Sequence, residues 1–203
     1  MRNKTAVLVT VAAATLACGV LAGCNDARPD AEPRTSAASA TSATAAVPAP
    51  LREAPVPTDA APKRADASPD ARLTVAGVRI GSHEGFDRVV YDLGGSGTPG
   101  WVVEYTDRAV QDGSGRELDV AGDSVLEVRI TGSAYPFDSG VSPYSGPDPV
   151  TDPAVPGIVG VSSPLVFEGI SQSFIGVTGE RPAFSVTALS NPTRLVIDIA
   201  TAG

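Results

Sequence analysis

This chain of 203 residues has little of several residue types on which enzyme chemistry commonly depends. It contains two cysteines, one histidine and two lysines, and aromatic residues make up only 5% of it. Cys18 and Cys24 both lie near the amino terminus, so the chain beyond Cys24 has no thiol. Disulfides, cysteine nucleophiles and sulfur-ligated metals are therefore excluded for the rest of the protein.

The scarcity of histidine and lysine restricts catalysis further. A zinc hydrolase needs several histidine or carboxylate ligands, and a serine triad needs a Gly-x-Ser-x-Gly turn, which is absent. No lysine follows Lys63, which removes Ser-x-x-Lys chemistry. His83 lies in a polar turn between two glycines, and we interpret it as a solvated loop residue. We predict no catalytic residue, no metal site, no cofactor and no enzymatic activity.

Carboxylate pairs can hydrolyse glycosidic bonds, but most acidic residues of this chain lie in turns or on outward strand faces. Glu168 is the least turn-like of them. Acidic residues at 107, 112, 117 and 119 surround a Gly-Ser-Gly turn. Their spacing does not fit an EF-hand loop, and a turn explains them equally well.

The charge is acidic, with 15 lysines and arginines against 23 acidic residues. No basic stripe is present, so we predict no nucleic-acid partner. Lysine is nearly replaced by arginine and alanine is abundant, a bias that indicates a GC-rich genome and a high-GC Gram-positive source of the actinobacterial type.

The first 23 residues have the layout of a secretory signal. Arg2 and Lys4 precede an apolar run over residues 6–20 that is short for a membrane span. Residues 21–24 (LAGC) resemble the bacterial lipobox, which implies cleavage before Cys24, a lipid on its sulfur and acylation of the new amino terminus. Two or more acyl chains would anchor the protein stably on the extracytoplasmic face of the cell membrane. An ordinary cleaved signal or an uncleaved anchor remains the alternative.

Residues 24–71 are rich in proline, alanine, serine and threonine, and from residue 25 they contain no aromatic side chain. Such a segment buries too little apolar surface to offset the entropy of ordering it. We predict a disordered, partly polyproline-II tether between the membrane and a single domain over residues 72–203.

The domain is predicted to be all-β. Its apolar residues alternate with period two, and no window keeps a helical period for three turns. Glycine-rich or proline-containing turns at 94–97, 112–115 and 190–192 separate the runs. About eight short strands make a single β-sandwich or a small barrel. The candidate strands are residues 73–80, 87–93, 101–106, 117–120, 125–131, 165–170, 173–177, 183–189 and 193–200.

One sequence pattern occurs twice, as RVVYDL at 88–93 and RLVIDI at 194–199. On a strand, the alternate apolar residues face the core, and the arginine and aspartate lie on the opposite face, where they can pair with neighbouring strands. Coincidence between two β-rich segments is one explanation, and a sandwich of two related halves is the other. The four charged residues form a candidate structural motif: Arg88, Asp92, Arg194 and Asp198.

Several short motifs together resemble the AMIN-like domain of bacterial lipoproteins. They are GFDRVVYD at 85–92, PGW at 99–101 with Tyr105, FEGI at 167–170, FIG at 174–176, PAFSV at 182–186 and NPTRLVID at 191–198. The resemblance covers residues 72–200. It implies a β-sandwich in the cell envelope, because the related AMIN domain localises envelope proteins and is thought to bind peptidoglycan. It carries over no catalytic residue.

Residues 134–157 form the irregular part of the domain. Loops of this length in compact domains are usually functional or disordered. Tyr135, Phe137 and Tyr144 beside carboxylates suit stacking on a glycan, although the same side chains could simply attach the loop to the sandwich. Trp101 is expected in the core or at its rim.

Two functional hypotheses follow from these features. The first is a non-catalytic, lipid-anchored envelope protein whose sandwich binds peptidoglycan-type material or an envelope partner. The second is an assembly lipoprotein that binds another envelope protein and has no affinity for glycans. A third hypothesis is an enzyme of unfamiliar type.

Overall fold

The computed structural model describes residues 54–201, which form ten strands and one helical turn. The leader, Cys24 and most of the predicted tether lie outside the described residues. In chain order the elements are Lys63–Ala65 (β1), Arg72–His83 (β2), Phe86–Ser96 (β3), Gly100–Thr106 (β4), Ser124–Thr131 (β5), Pro136–Ser139 (α1), Ile158–Val161 (β6), Leu165–Phe167 (β7), Ile170–Val177 (β8), Phe184–Leu189 (β9) and Arg194–Ala200 (β10).

The strands form two antiparallel sheets. The first sheet has the order β1-β4-β5-β8-β6, with β7 also paired to β8, and the second has the order β2-β3-β10-β9. One core cluster takes buried side chains from both sheets, so the sheets pack face to face. The predicted all-β sandwich is therefore confirmed, with ten strands where the sequence indicated about eight.

Period-two alternation explains most of the core. In β5 the side chains of Leu126, Val128 and Ile130 are buried, while the residues between them are partly exposed. Burial of each such side chain contributes about 1.5–3 kcal/mol. Tyr91 of β3 is fully buried, and its hydroxyl donates a hydrogen bond to the Ser173 hydroxyl of β8 across the core, at 3.1 Å. This bond satisfies the one polar atom of a large buried ring.

A β-bulge interrupts β2. The pairing of β2 with β3 shifts between Val75 and Gly77, which leaves Ala76 as an extra residue. Because one extra residue inverts the alternation, Val75 faces the core while Arg79 points outward. The bulge thereby places a charged side chain on the outer face of the second sheet.

The segment predicted as a strand at 117–120 is not one. It carries a single bridge, between Glu117 and Val110, within a turn-rich connection from β4 to β5. Both edges of β4, the strand that precedes this segment in the chain, are already used by β1 and β5. The connection instead covers the outer face of the first sheet, where Ala121 lies directly over Gly176.

Three other sequence predictions differ from the structure. The run at 165–170 is divided into β7 and the start of β8 by a turn at Glu168 and Gly169, both with positive φ. The glycine-rich segment 94–97 is not a hairpin turn, because residues 94–96 are the end of β3 and the chain then passes to β4 in the other sheet. Strand β6 was not predicted, because it is short and its alternation is interrupted by a register shift.

The structured part of the chain begins before Arg72, the boundary that composition predicts. Residues 63–65 form β1, which pairs antiparallel with β4, although they belong to the predicted tether. A run of three residues is too short to show an alternating pattern in the sequence. These residues form a strand because they pair with the edge of β4. Among residues 54–201, no helix is long and apolar enough to cross a membrane.

Candidate functional site: an aromatic pair beside a charged sheet face

The helical turn α1 lies near the start of β2 and is held there by several hydrogen bonds. Thr74 of β2 donates from its hydroxyl to the carbonyl of Ala134 at 2.9 Å, and this hydroxyl lies 2.7 Å from that of Ser139. Pro136 presets the first helical φ, and Gly140, in the left-handed region, closes the turn with an N–H bond to the Pro136 carbonyl. The turn is therefore fixed to the sheet.

Tyr135 and Phe137 form a parallel stack on this turn. Their ring centroids are 5.4 Å apart and their planes differ by 5°. The Phe137 side chain is 82% exposed and that of Tyr135 is 40% exposed. Because most of the Phe137 ring remains in water, its position adds little to the stability of the fold. The arrangement offers a flat apolar face to a ligand.

Tyr144 has the structural role that the sequence left open. Its side chain is half-buried against the core, and its hydroxyl donates to the Pro147 carbonyl at 2.7 Å. Its backbone N–H donates to the Val75 carbonyl at 2.8 Å and so continues the edge of β2. Tyr144 attaches the loop to the sandwich, whereas Tyr135 and Phe137 do not.

The two copies of the repeated pattern lie side by side in the second sheet. Arg88 is opposite Asp198, and Asp92 is opposite Arg194, in the antiparallel register of β3 and β10. Arg88 donates to Asp198 through two nitrogens, at 2.6 and 2.8 Å. Asp198 is almost fully buried, so this pair is partly withdrawn from water. The predicted pairing of the motif with a neighbouring strand is correct for these two residues.

Asp92 pairs with a residue that the sequence did not indicate. Arg79 of β2 donates two hydrogen bonds to its carboxylate, both at 2.8 Å. A side chain at Gly77 would approach an Asp92 oxygen to 2.9 Å, so the glycine leaves room for the carboxylate. The hydrogen bonds from Arg79 lower the pKa of Asp92. Arg194 is left to donate to the nearby Pro192 carbonyl at 3.3 Å.

The segment that carries the aromatic pair adjoins the charged face of the second sheet. Alternation along β3 puts Arg88, Val90, Asp92 and Gly94 on the same outer face of the second sheet. The side chain of Val141, which follows α1, contacts the open position at Gly94. We call this surface the outer face: paired arginines and aspartates on β2, β3 and β10, bounded at one end by Tyr135 and Phe137. Its polar groups can hydrogen-bond hydroxyl or amide groups, and its rings can stack on an apolar face.

The other candidate residues form no cluster suited to catalysis. His83 is exposed at the end of β2, where it stacks on Phe86 with centroids 4.9 Å apart and lines a small pocket at the far end of the outer face with Arg79 and Arg88. Trp101 lies at the rim of the core, as expected. Glu168 occupies a tight turn, so its interpretation as the least turn-like carboxylate was wrong.

Three of the four carboxylates in the acidic segment 107–119 form ion pairs with arginines. Asp107 pairs with Arg181, Glu117 with Arg108 and Asp112 with Arg129. Among residues 54–201, no group of three or more histidine or carboxylate side chains could hold a metal ion. Coordination of calcium by this segment has no support in the geometry.

The fold defines a class: an antiparallel β-sandwich module, here with a charged outer face next to an exposed aromatic pair. Within that class the chain belongs to the AMIN-like domain family, because the family model matches residues 73–201, most of the sandwich. Members of the family are generally non-catalytic modules associated with peptidoglycan or the cell envelope. No curated protein and no solved structure matches the chain.

Proposed function

We propose that the protein is a lipid-anchored cell-envelope protein whose sandwich binds peptidoglycan-type material through the outer face. The observation that carries this proposal is the exposed stack of Tyr135 and Phe137 on a turn whose backbone is hydrogen-bonded to β2. An exposed ring that contributes little to folding suits the apolar face of a sugar. Membership of the AMIN-like family supports the same class of ligand.

The membrane anchor rests on the sequence. Cys24 closes a lipobox-like segment after a secretory leader, and diacyl modification of its sulfur with acylation of its amino group would hold the protein at the outer side of the membrane. The proline-rich segment that follows would let the sandwich reach wall material beyond the bilayer. We expect full-length protein to enter the detergent phase on partitioning, and the Cys24→Ala form to remain in the aqueous phase.

Glycan binding is tested by co-sedimentation of residues 51–203 with purified peptidoglycan. We expect retention of the wild type and a decrease of about fivefold in affinity for Phe137→Ala, since one aromatic stacking contact contributes about 0.5–1.5 kcal/mol. The control is Phe167→Ala, which removes a phenylalanine that is 37% exposed on β7 of the other sheet.

Three results would count against this proposal. The wild type could fail to sediment, Phe137→Ala could be retained as well as the wild type, or Phe167→Ala could lose as much affinity. Retention by a membrane-protein fraction instead of peptidoglycan would support an assembly lipoprotein with a protein partner.

A further inference from the structure

A second surface, on the side of the first sheet, has the features of a ligand site. A groove of about 350 Å³ lies between the connection from β4 to β5 and the segment 148–163, which includes β6. This volume falls within the range of small-molecule sites. Apolar side chains of Leu118, Pro149 and Val159 line it together with polar and charged groups.

The charged groups of this groove are unusual for their segment. Arg108 and the nearby Arg129 each pair with a carboxylate of the connection, Glu117 and Asp112. Arg116 and Asp119 both line the groove, and within the described part of the chain neither has an ion-pair partner. The connection thus neutralises other charges and leaves one of each sign facing the groove.

The opposite wall adds a second carboxylate. Asp148 accepts a hydrogen bond from the Ser163 N–H through Oδ1, at 2.9 Å, and no other hydrogen bond of its carboxylate is found within residues 54–201. Oδ2 of Asp148 can therefore accept a hydrogen bond from a ligand. The hydroxyl oxygen (Oγ) of Ser162 accepts a hydrogen bond from the Phe174 N–H at 2.9 Å. The hydroxyl proton of Ser162 can therefore be donated to a ligand.

We infer that this groove binds a short peptide that carries both a free carboxylate and a free ammonium group. The guanidinium of Arg116 is suited to a carboxylate, with which it can form two parallel hydrogen bonds. Asp119 and Asp148 are suited to the ammonium group. The apolar walls accommodate the peptide's small side chains, because they offer contact without a hydrogen-bonding requirement.

Other ligand classes fit the groove less well. An uncharged sugar would cover Arg116 and the two aspartates without pairing them, and unpaired charges removed from water are costly. A phosphate or a nucleic acid is disfavoured, because its negative charge would be repelled by two carboxylates and attracted by one guanidinium. A ligand with charges of both signs satisfies all three groups. This inference does not depend on binding at the outer face, which is on the other sheet.

The test is a calorimetric titration of the full-length protein with tetra-alanine whose amino and carboxyl ends are both free. We expect saturable binding, weakened about tenfold by Arg116→Gln and about tenfold by Asp119→Asn, since a charge-assisted hydrogen bond contributes about 1.5–3 kcal/mol. Both side chains are exposed, so neither change should prevent folding. The matched controls are Arg64→Gln and Asp66→Asn, exposed residues outside the groove, which should bind as the wild type does.

A second peptide separates charge recognition from general affinity. It is the same tetra-alanine acetylated and amidated at its ends, and we expect no measurable binding. Equal binding of this uncharged peptide would overturn the inference, as would unchanged affinity in Arg116→Gln or binding of a chitin oligosaccharide that Arg116→Gln abolishes.

Phe137→Ala distinguishes the two proposals. It should reduce sedimentation with peptidoglycan and leave the peptide affinity unchanged. If the wild type binds the peptide and does not sediment, only the proposal for the outer face fails. If it sediments without binding the peptide, only the groove proposal fails.

Discussion

At the scale of single residues, the outer face contains two ion pairs of the same geometry and different burial. Arg88–Asp198 and Arg79–Asp92 each have two hydrogen bonds, but the Asp198 side chain is 6% exposed and that of Asp92 is 33% exposed. An exposed pair contributes about 0–1 kcal/mol, whereas loss of one partner leaves a buried charge uncompensated. Burial therefore decides which pair matters for stability.

We predict that Arg88→Ala lowers the free energy of unfolding by about 3 kcal/mol and that Arg79→Ala lowers it by less than about 1 kcal/mol. Urea denaturation of the two variants at neutral pH measures both values. Similar losses in the two variants would show that burial of Asp198 does not control the cost. The paired design removes an arginine from the same face in each case.

The sequence predicted part of this face, and the bulge explains what it missed. Alternation alone placed Arg88, Asp92 and Asp198 on one side of their strands, because β3 and β10 are regular there. The same reasoning puts Arg79 on the side of Val75, in the core. One unpaired residue in β2 inverts this assignment. The isolated Gly77 in the strand pattern is typical of a bulge, but it does not fix which residue is left unpaired.

At the scale of elements, the turn between β7 and β8 is strained. Glu168 and Gly169 have φ of 46° and 78°, the positive values that a type I′ turn requires at both central positions. Glycine adopts this conformation freely, but a glutamate does so at a cost of about 1–2 kcal/mol. Asparagine followed by glycine is the preferred sequence for such a turn.

We predict that Glu168→Asn raises the free energy of unfolding by about 0.5–1 kcal/mol. The matched control is Glu84→Asn in the β2–β3 turn, where Gly85 has a positive φ and Glu84 does not. Urea denaturation should show a gain for the first variant alone. A gain of the same size in both would mean that loss of negative charge, and not backbone strain, is responsible.

Elements were predictable where a strand is long and its partner adjacent, as in β3, β5 and β10. They were not predictable where tertiary structure decides. The segment 117–120 has the composition of a strand but forms only one bridge, whereas residues 63–65 have the composition of a linker and pair with the edge of β4. The aromatic pair was identified as a candidate from residue type, but only the packing of α1 separates Tyr135 and Phe137 from Tyr144.

At the scale of the molecule, the segment before Arg72 joins the two sheets. Residues 63–65 pair with β4 of the first sheet, and the carbonyl of Asp59 accepts a hydrogen bond from the Phe184 N–H of β9 in the second sheet, at 2.9 Å. Val56 lies against Gly85 in the β2–β3 turn, and the Lys63 ammonium lies 4.9 Å from the Phe184 ring centroid. The segment therefore contacts both layers of the sandwich.

We predict that a chain beginning at Arg72 is less stable than one beginning at Leu51 by about 3 kcal/mol, because it loses several hydrogen bonds of about 1 kcal/mol each and uncovers the edge of β4. A chain beginning at Ala60 should be intermediate, since it keeps β1 and loses the Asp59 contact. Trp101 lies opposite Ala65 in the β1–β4 register, so its fluorescence during urea denaturation reports on this edge directly. Equal stability of the three chains would mean that the sandwich is complete from Arg72 onward and that the preceding residues only rest on it.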